Sequence, residues 1–191
     1  MSRAGLAVAA LVDVLLLGPS ALAASFALTP DERAEALRVG ARSATVETFD
    51  AEWRVANSAG DNVTVLTPFY RLVLAARHAA FRNEPMKPGE PERLLREQQD
   101  RLLLWARLHG PHEGFARFYS PRLLVGDGEV EPAFVQNERT AVRQDDGRYL
   151  ARCVYSFPTR TLTGTSRVAL VVRDADGRDV SRFAIDLSTM R

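Results

Sequence analysis

From Phe115 onward, short stretches of alternating apolar and polar residues are separated by compact turn sequences, and this rhythm constrains the fold more than any other feature. Gly126-Asp127-Gly128 separates residues 117–125 from 129–136, and Asp145-Asp146-Gly147 leads into residues 148–157. Asp174-Ala175-Asp176-Gly177 joins residues 167–173 to 180–187. Within these runs Tyr149, Ala151, Cys153, Tyr155 and Phe157 alternate with Arg148 and Arg152, and Val168, Leu170 and Val172 alternate with Arg167 and Arg173. A period of two places one set in a core and the other in water. The turns carry Asp and Gly, which tolerate the backbone angles of tight hairpins. A chain written this way folds as antiparallel, hairpin-linked strands.

The period changes upstream. Thr29-Pro30-Asp31-Glu32 reads as a helix start, with Thr29 as N-cap, Pro30 in the first helical position and Glu32 completing a capping box. This helix is expected to run to about Val39, where Gly40 stops it. Its apolar content is low, so it is also a candidate for packing on another molecule. Residues 45–57 alternate, with Phe49, Ala51, Trp53 and Val55 on one side, and predict a strand that pairs with residues 63–66 in a hairpin. After Thr67-Pro68, apolar residues return at helical spacing and predict a helix over 69–82. Pro85, Pro88 and Pro91 enforce a loop, and a second short helix opens near Pro91 and carries Leu94 and Leu95. Residues 101–109 fit a continued helix through Leu102 and Trp105, or a strand with Leu102, Leu104, Ala106 and Leu108 inward. The strand is favoured because everything after it is β.

The expected fold class is therefore α+β: an antiparallel β-sandwich with an N-terminal helix and one or two inserted helices. The expected division is a signal peptide at 1–23, a helical segment at 24–44 and a sandwich domain at 45–191, with a helical insertion at about 68–100. Asp146-Gly147-Arg148-Tyr149 ahead of Cys153 resembles the tyrosine corner of immunoglobulin-like sandwiches. The resemblance lies at the level of fold. In immunoglobulin domains the tyrosine stands two residues before a cysteine that has a disulfide partner, whereas here Tyr149 precedes Cys153 by four positions and Cys153 is the lone cysteine. The chain is similar to uncharacterised exported bacterial proteins of this size, a resemblance that implies no particular activity.

The first residues carry an address. Arg3 supplies a positive start, residues 6–17 an apolar run broken only by Asp13, and Ala21-Leu22-Ala23 a small-x-small cleavage site after Gly18-Pro19. About a dozen apolar residues fall short of the roughly 20 that span a bilayer. The reading is an exported protein, periplasmic or secreted, that begins near Ala24 and keeps no transmembrane segment. Cleavage removes Arg3 and Asp13 together and leaves the formal charge at +1. Of 25 basic residues all but Lys87 are arginine, with acidic residues interspersed, so the arginines reflect GC-rich coding and no nucleic-acid partner is expected. A lone cysteine excludes an internal disulfide, and Cys153 is expected as a small buried hydrophobe.

Motifs that carry chemistry are sparse. His109, His112 and Glu113 crowd two imidazoles and a carboxylate into one loop, a donor set zinc uses. Gly110-Pro111 rules out the helical spacing of a metalloprotease there. Asp174-Ala175-Asp176-Gly177 opens like a calcium loop, but its twelfth position is Ile185 where an EF-hand needs glutamate, so it reads as a hairpin turn. No Gly-x-Ser-x-Gly elbow is present. Gln136, Asn137, Glu138 and Arg139 follow an apolar strand and form a candidate interaction rim at one end of the sandwich. These features point to a non-enzymatic exported interaction or accessory module with a protein partner in the envelope and no cofactor. The alternative is a small-ligand or metal-binding envelope protein, hydrolytic if a metal on His109, His112 and Glu113 activates water.

Overall fold

The computed structural model describes residues 23–191. The predicted export signal lies outside the described residues except for Ala23. Local chemistry sets the helix starts as expected. In α1 (Pro30–Arg42) the Thr29 hydroxyl accepts the Glu32 N–H at 3.2 Å, and Glu32 Oε2 accepts the Thr29 N–H at 2.7 Å. In α2 (Pro68–Phe81) the Thr67 hydroxyl accepts the Tyr70 N–H at 3.1 Å, with Pro68 where no backbone donor is needed. The third helix, α3 (Glu90–Gln98), starts at Gly89, whose φ of +76° suits glycine. No described helix is long and apolar enough to cross a membrane.

Gly40 does not stop α1. The helix runs through it to Arg42, and Gly40 is a point of close approach to α2: a Cβ there would sit 2.4 Å from the Val73 carbonyl oxygen and 2.7 Å from Ala76 Cβ. Together with buried Ala36 it seats α1 on its own chain. The strand expected over 45–57 is likewise reduced. Turns and a short 3₁₀ segment (Ala51–Trp53) precede β1, which spans only Arg54–Ala56. Aromatic packing explains this: Trp53 is buried and stacks on Tyr70 with centroids 4.4 Å apart, and Phe49 lies 6.2 Å from the same ring.

The remaining strands are β2 (Asn62–Leu66), β3 (Arg101–Gly110), β4 (Ser120–Val125), β5 (Gly128–Val130), β6 (Phe134–Gln136), β7 (Val142–Arg143), β8 (Tyr149–Pro158), β9 (Arg167–Arg173) and β10 (Asp179–Asp186). Residues 101–109 are thus strand, and both inserted helices lie between β2 and β3. All pairing is antiparallel, in a six-stranded sheet ordered β1-β2-β3-β8-β6 with β7 also on β8, and a four-stranded sheet ordered β10-β9-β4-β5. The run expected as one strand over 129–136 splits: β5 pairs with β4 in the smaller sheet and β6 with β8 in the larger.

The described residues form an α+β fold, with three helices and two antiparallel sheets compatible with the expected sandwich. Leu102, Leu104, Ala106 and Leu108 of β3 and Ala151, Cys153, Tyr155 and Phe157 of β8 join Leu123, Leu170, Phe183 and Ile185 of the smaller sheet in one buried cluster. Cys153 is 1% exposed, and burial pushes its thiol pKa up. The alternate residues of β3 and β8 form the larger sheet's other face, and that face positions the site.

Candidate functional site

The histidine loop does not assemble as a ligand set. β3 extends to Gly110, so His109 lies within a strand. Its backbone N–H donates to Asp61 Oδ1 at 2.8 Å, and its Nδ1 stands 3.1 Å from the same oxygen. Asp61 is only 4% exposed and is presented by the β1–β2 turn, where Asn57 Oδ1 accepts the N–H groups of Ala59 and Asp61 at 3.0 Å. The Ser181 hydroxyl donates to Asp61 Oδ2 at 2.8 Å and accepts from Asn57 Nδ2 at 2.9 Å. Ser, Asp and His are all present, but the carboxylate lies between hydroxyl and imidazole. A nucleophilic triad needs the imidazole next to the hydroxyl, to take its proton. This arrangement is a polar clasp joining the β1–β2 turn, β3 and β10.

His112 and Glu113 are exposed beyond the strand, and His78 is exposed on α2. Among the described residues no group of three or more His, Cys, Asp or Glu side chains is placed to hold a metal ion. The structure does not bring His109, His112 and Glu113 together as a ligand set: Asp61 holds the first imidazole, and His112 and Glu113 lie in the turn that follows β3. Asp174 accepts the N–H groups of Asp176 and Arg178 at 2.9 Å, and Gly177 takes a φ of +81°, so that segment is the hairpin turn read from its sequence.

The rim at 136–139 is partly consumed by the fold. Asn137 Nδ2 donates to the Tyr119 carbonyl at 2.7 Å, and its Oδ1 accepts the Tyr155 hydroxyl at 3.2 Å. Glu138 Oε2 accepts the Arg152 N–H at 2.7 Å, replacing the ladder bond lost where the edge breaks between β6 and β7. Gln136 and Arg139 remain exposed. Burial raises the Tyr119 and Tyr155 phenols above their ordinary range, and the Asp61 and Asp174 charges push Tyr119 the same way.

Sequence reasoning missed a groove of about 730 Å³ on the outer face of the larger sheet. Phe49 and Tyr70 line it together with Arg54 of β1, Trp105 and Arg107 of β3 and Arg152 of β8. Register makes the surface. Thr64 stands opposite Trp105 and Trp105 opposite Val154, while Arg107 stands directly opposite Arg152. Phe134 stands opposite Ser156, itself opposite Leu103, so it shares this outward face. Trp105 is 39% exposed and Phe134 49%. Arg54 is engaged by Asp50, and the Arg77 guanidinium lies 3.9 Å over the Phe49 ring. Among the described residues, no carboxylate lies within 4.0 Å of the Arg107 or Arg152 guanidinium in the groove.

No family model matches this chain, and no curated protein matches it significantly. Among solved structures it is similar to a novel protein of unknown function from Burkholderia pseudomallei K96243, with a TM-score of 0.45 and 10% identity. That similarity covers 85% of this chain and 91% of the other.

Proposed function

We propose that this chain is an exported, non-enzymatic interaction module of the bacterial envelope that receives a protein partner on the outer face of its six-stranded sheet. One observation carries the reading: Trp105 and Phe134 are exposed on the same face, next to the short edge strand β6. Large aromatics are enriched at protein interfaces because they bury much area for few rotatable bonds. An edge strand adds unpaired backbone donors and acceptors beside them. The polar clasp at Asp61 supports a structural role for the residues that most resemble catalytic ones.

The scaffold in this reading is an immunoglobulin-like sandwich, the chain crossing between sheets after β3, after β5 and after β8. The working compartment is periplasmic or extracellular, and the processed chain begins at Ala24. Purified chain is used to retain partners from an envelope extract, alongside the double variant Trp105→Ser/Phe134→Ser. A stoichiometric protein held by the wild type and lost from the folded variant is the expected result. Equal retention by both removes the outer face as the interface. N-terminal sequencing of the exported form tests cleavage before Ala24.

A further inference from the structure

Within this face the charges and apolar groups lie in rows. Arg107 of β3 and Arg152 of β8 are direct cross-strand neighbours, an arrangement that repels in the absence of a counter-charge. Both are exposed. Neither guanidinium lies within 4.0 Å of a described carboxylate, although Arg54 in the same groove is bound to Asp50. Glu138 Oε2 accepts the Arg152 backbone N–H, and neither Glu138 oxygen lies within 4.0 Å of the Arg152 guanidinium. Two positions along each strand, on the same face, the neighbours are Trp105 and Val154, again directly opposite one another. A cationic row and an apolar row therefore run side by side across β3 and β8. Two residues along a strand separate them by about 6.6 Å, the spacing at which an extended peptide presents alternate side chains to one surface.

We infer that the partner contributes an extended acidic segment of the pattern acidic–x–apolar, its carboxylate seated on Arg107 and Arg152 and its apolar side chain on Trp105 and Val154. This rests on reading the outer face as a protein interface. Two adjacent guanidinium groups offer a carboxylate a fork of charge-assisted hydrogen bonds. A carboxylate seated between them offsets the repulsion of the two arginines. The indole beside them gives the apolar side chain a flat surface, in a groove that Tyr70 also lines.

The probe is a synthetic peptide repeating Glu-Ser-Leu-Ser, with a Lys-Ser-Leu-Ser counterpart, added to the purified chain. Trp105 reports binding by its emission, since the other tryptophan, Trp53, is 1% exposed and far less responsive to a surface ligand. The acidic peptide is expected to bind and the basic one not. Affinity falls at least about tenfold in Arg107→Glu/Arg152→Glu and falls again as salt is raised. Arg182→Glu, on the smaller sheet, leaves it unchanged. If the charge reversal lowers the melting temperature, Arg107→Gln/Arg152→Gln takes its place. Binding of the acidic peptide that survives removal of both arginines overturns the inference. So does binding of inorganic phosphate or anionic vesicles at these arginines without binding of the peptide. Absence of peptide binding, with partner capture still dependent on Trp105 and Phe134, overturns the acidic segment and leaves the interface standing.

Discussion

Gly40→Ala sets two opposing effects against each other. Alanine in a helix interior is favoured over glycine by roughly 0.5–1 kcal/mol, because glycine loses more backbone freedom on folding. If Gly40 had open space around it within the helix, the substitution would be neutral or stabilising. In the folded chain, however, the new methyl would lie 2.4 Å from the Val73 carbonyl oxygen and 2.7 Å from Ala76 Cβ, where ordinary contact begins at 3.4 Å. Neither obstacle is the free end of a flexible side chain, so α1 must back away from α2 by roughly 1 Å, loosening the contact at fully buried Ala36. Overpacking of this kind costs about 1–3 kcal/mol. The clash exceeds the propensity gain, and the net expectation is a loss of about 1–2 kcal/mol. For a domain of this size that lowers the melting temperature by roughly 2–8 °C. Thermal unfolding followed by circular dichroism measures it, with Gly114→Ala as control because a Cβ there meets nothing within 4 Å. A Gly40→Ala variant as stable as the wild type, or more so, would refute the close packing of α1 on α2 at this position.

Other expectations follow from the buried polar and thiol groups. Asp61→Ala strands the Ser181 hydroxyl and the His109 backbone N–H, and should cost about 2–4 kcal/mol in urea unfolding, whereas Ser181→Ala should cost about 1; equal, negligible effects would dissolve the clasp. The Cys153 thiol, buried and with its pKa raised, should resist a thiol reagent in the native protein and react stoichiometrically once unfolded; rapid native labelling contradicts its burial. The Ser188 hydroxyl, followed by the Ser188 N–H and Arg167, holds the Asp186 carboxyl below its ordinary value of 3.8. A depressed carboxylate favours the fold above that value and ceases to do so as the pH falls through the folded one. Asp186→Asn should therefore flatten the acid limb of the stability profile, and an unchanged acid limb argues against the contact.

The parts of the fold legible in the sequence are those whose causes are local. Both capping signals, at Thr29 and Thr67, act through hydrogen bonds to residues three positions away, so the pattern and the structure coincide. Turns at Asp146-Gly147 and Asp176-Gly177 need only a glycine with positive φ. Where the cause is distant, the same letters carry two meanings. A glycine after an apolar run marks a helix end or a close approach, and only α2 decides between them at Gly40. Phe49 and Trp53 fit the spacing of a strand, but their rings are claimed by Tyr70, leaving three residues of the run to pair.

The site follows the same logic more severely. His109 looked like a loop ligand because Gly110-Pro111 reads as a break, and nothing near it in sequence signals that Asp61 holds its Nδ1. Arg152 reads in sequence as an ordinary water-facing member of an alternating strand, and Arg107 carries no signal of its own. What gives the two a shared chemistry is the register of β3 on β8, which sets them opposite one another with Trp105 and Val154 opposite in the next outward row. Pairing register is fixed by the inward set, here Leu104, Ala106, Cys153 and Tyr155, since a slip by one residue would turn that set out into water. The outward rows are thus a consequence of core burial, and their juxtaposition persists in any variant that keeps those four inward positions apolar. Charge reversal at Arg107 and Arg152 should accordingly change what the face binds without changing the fold that presents it.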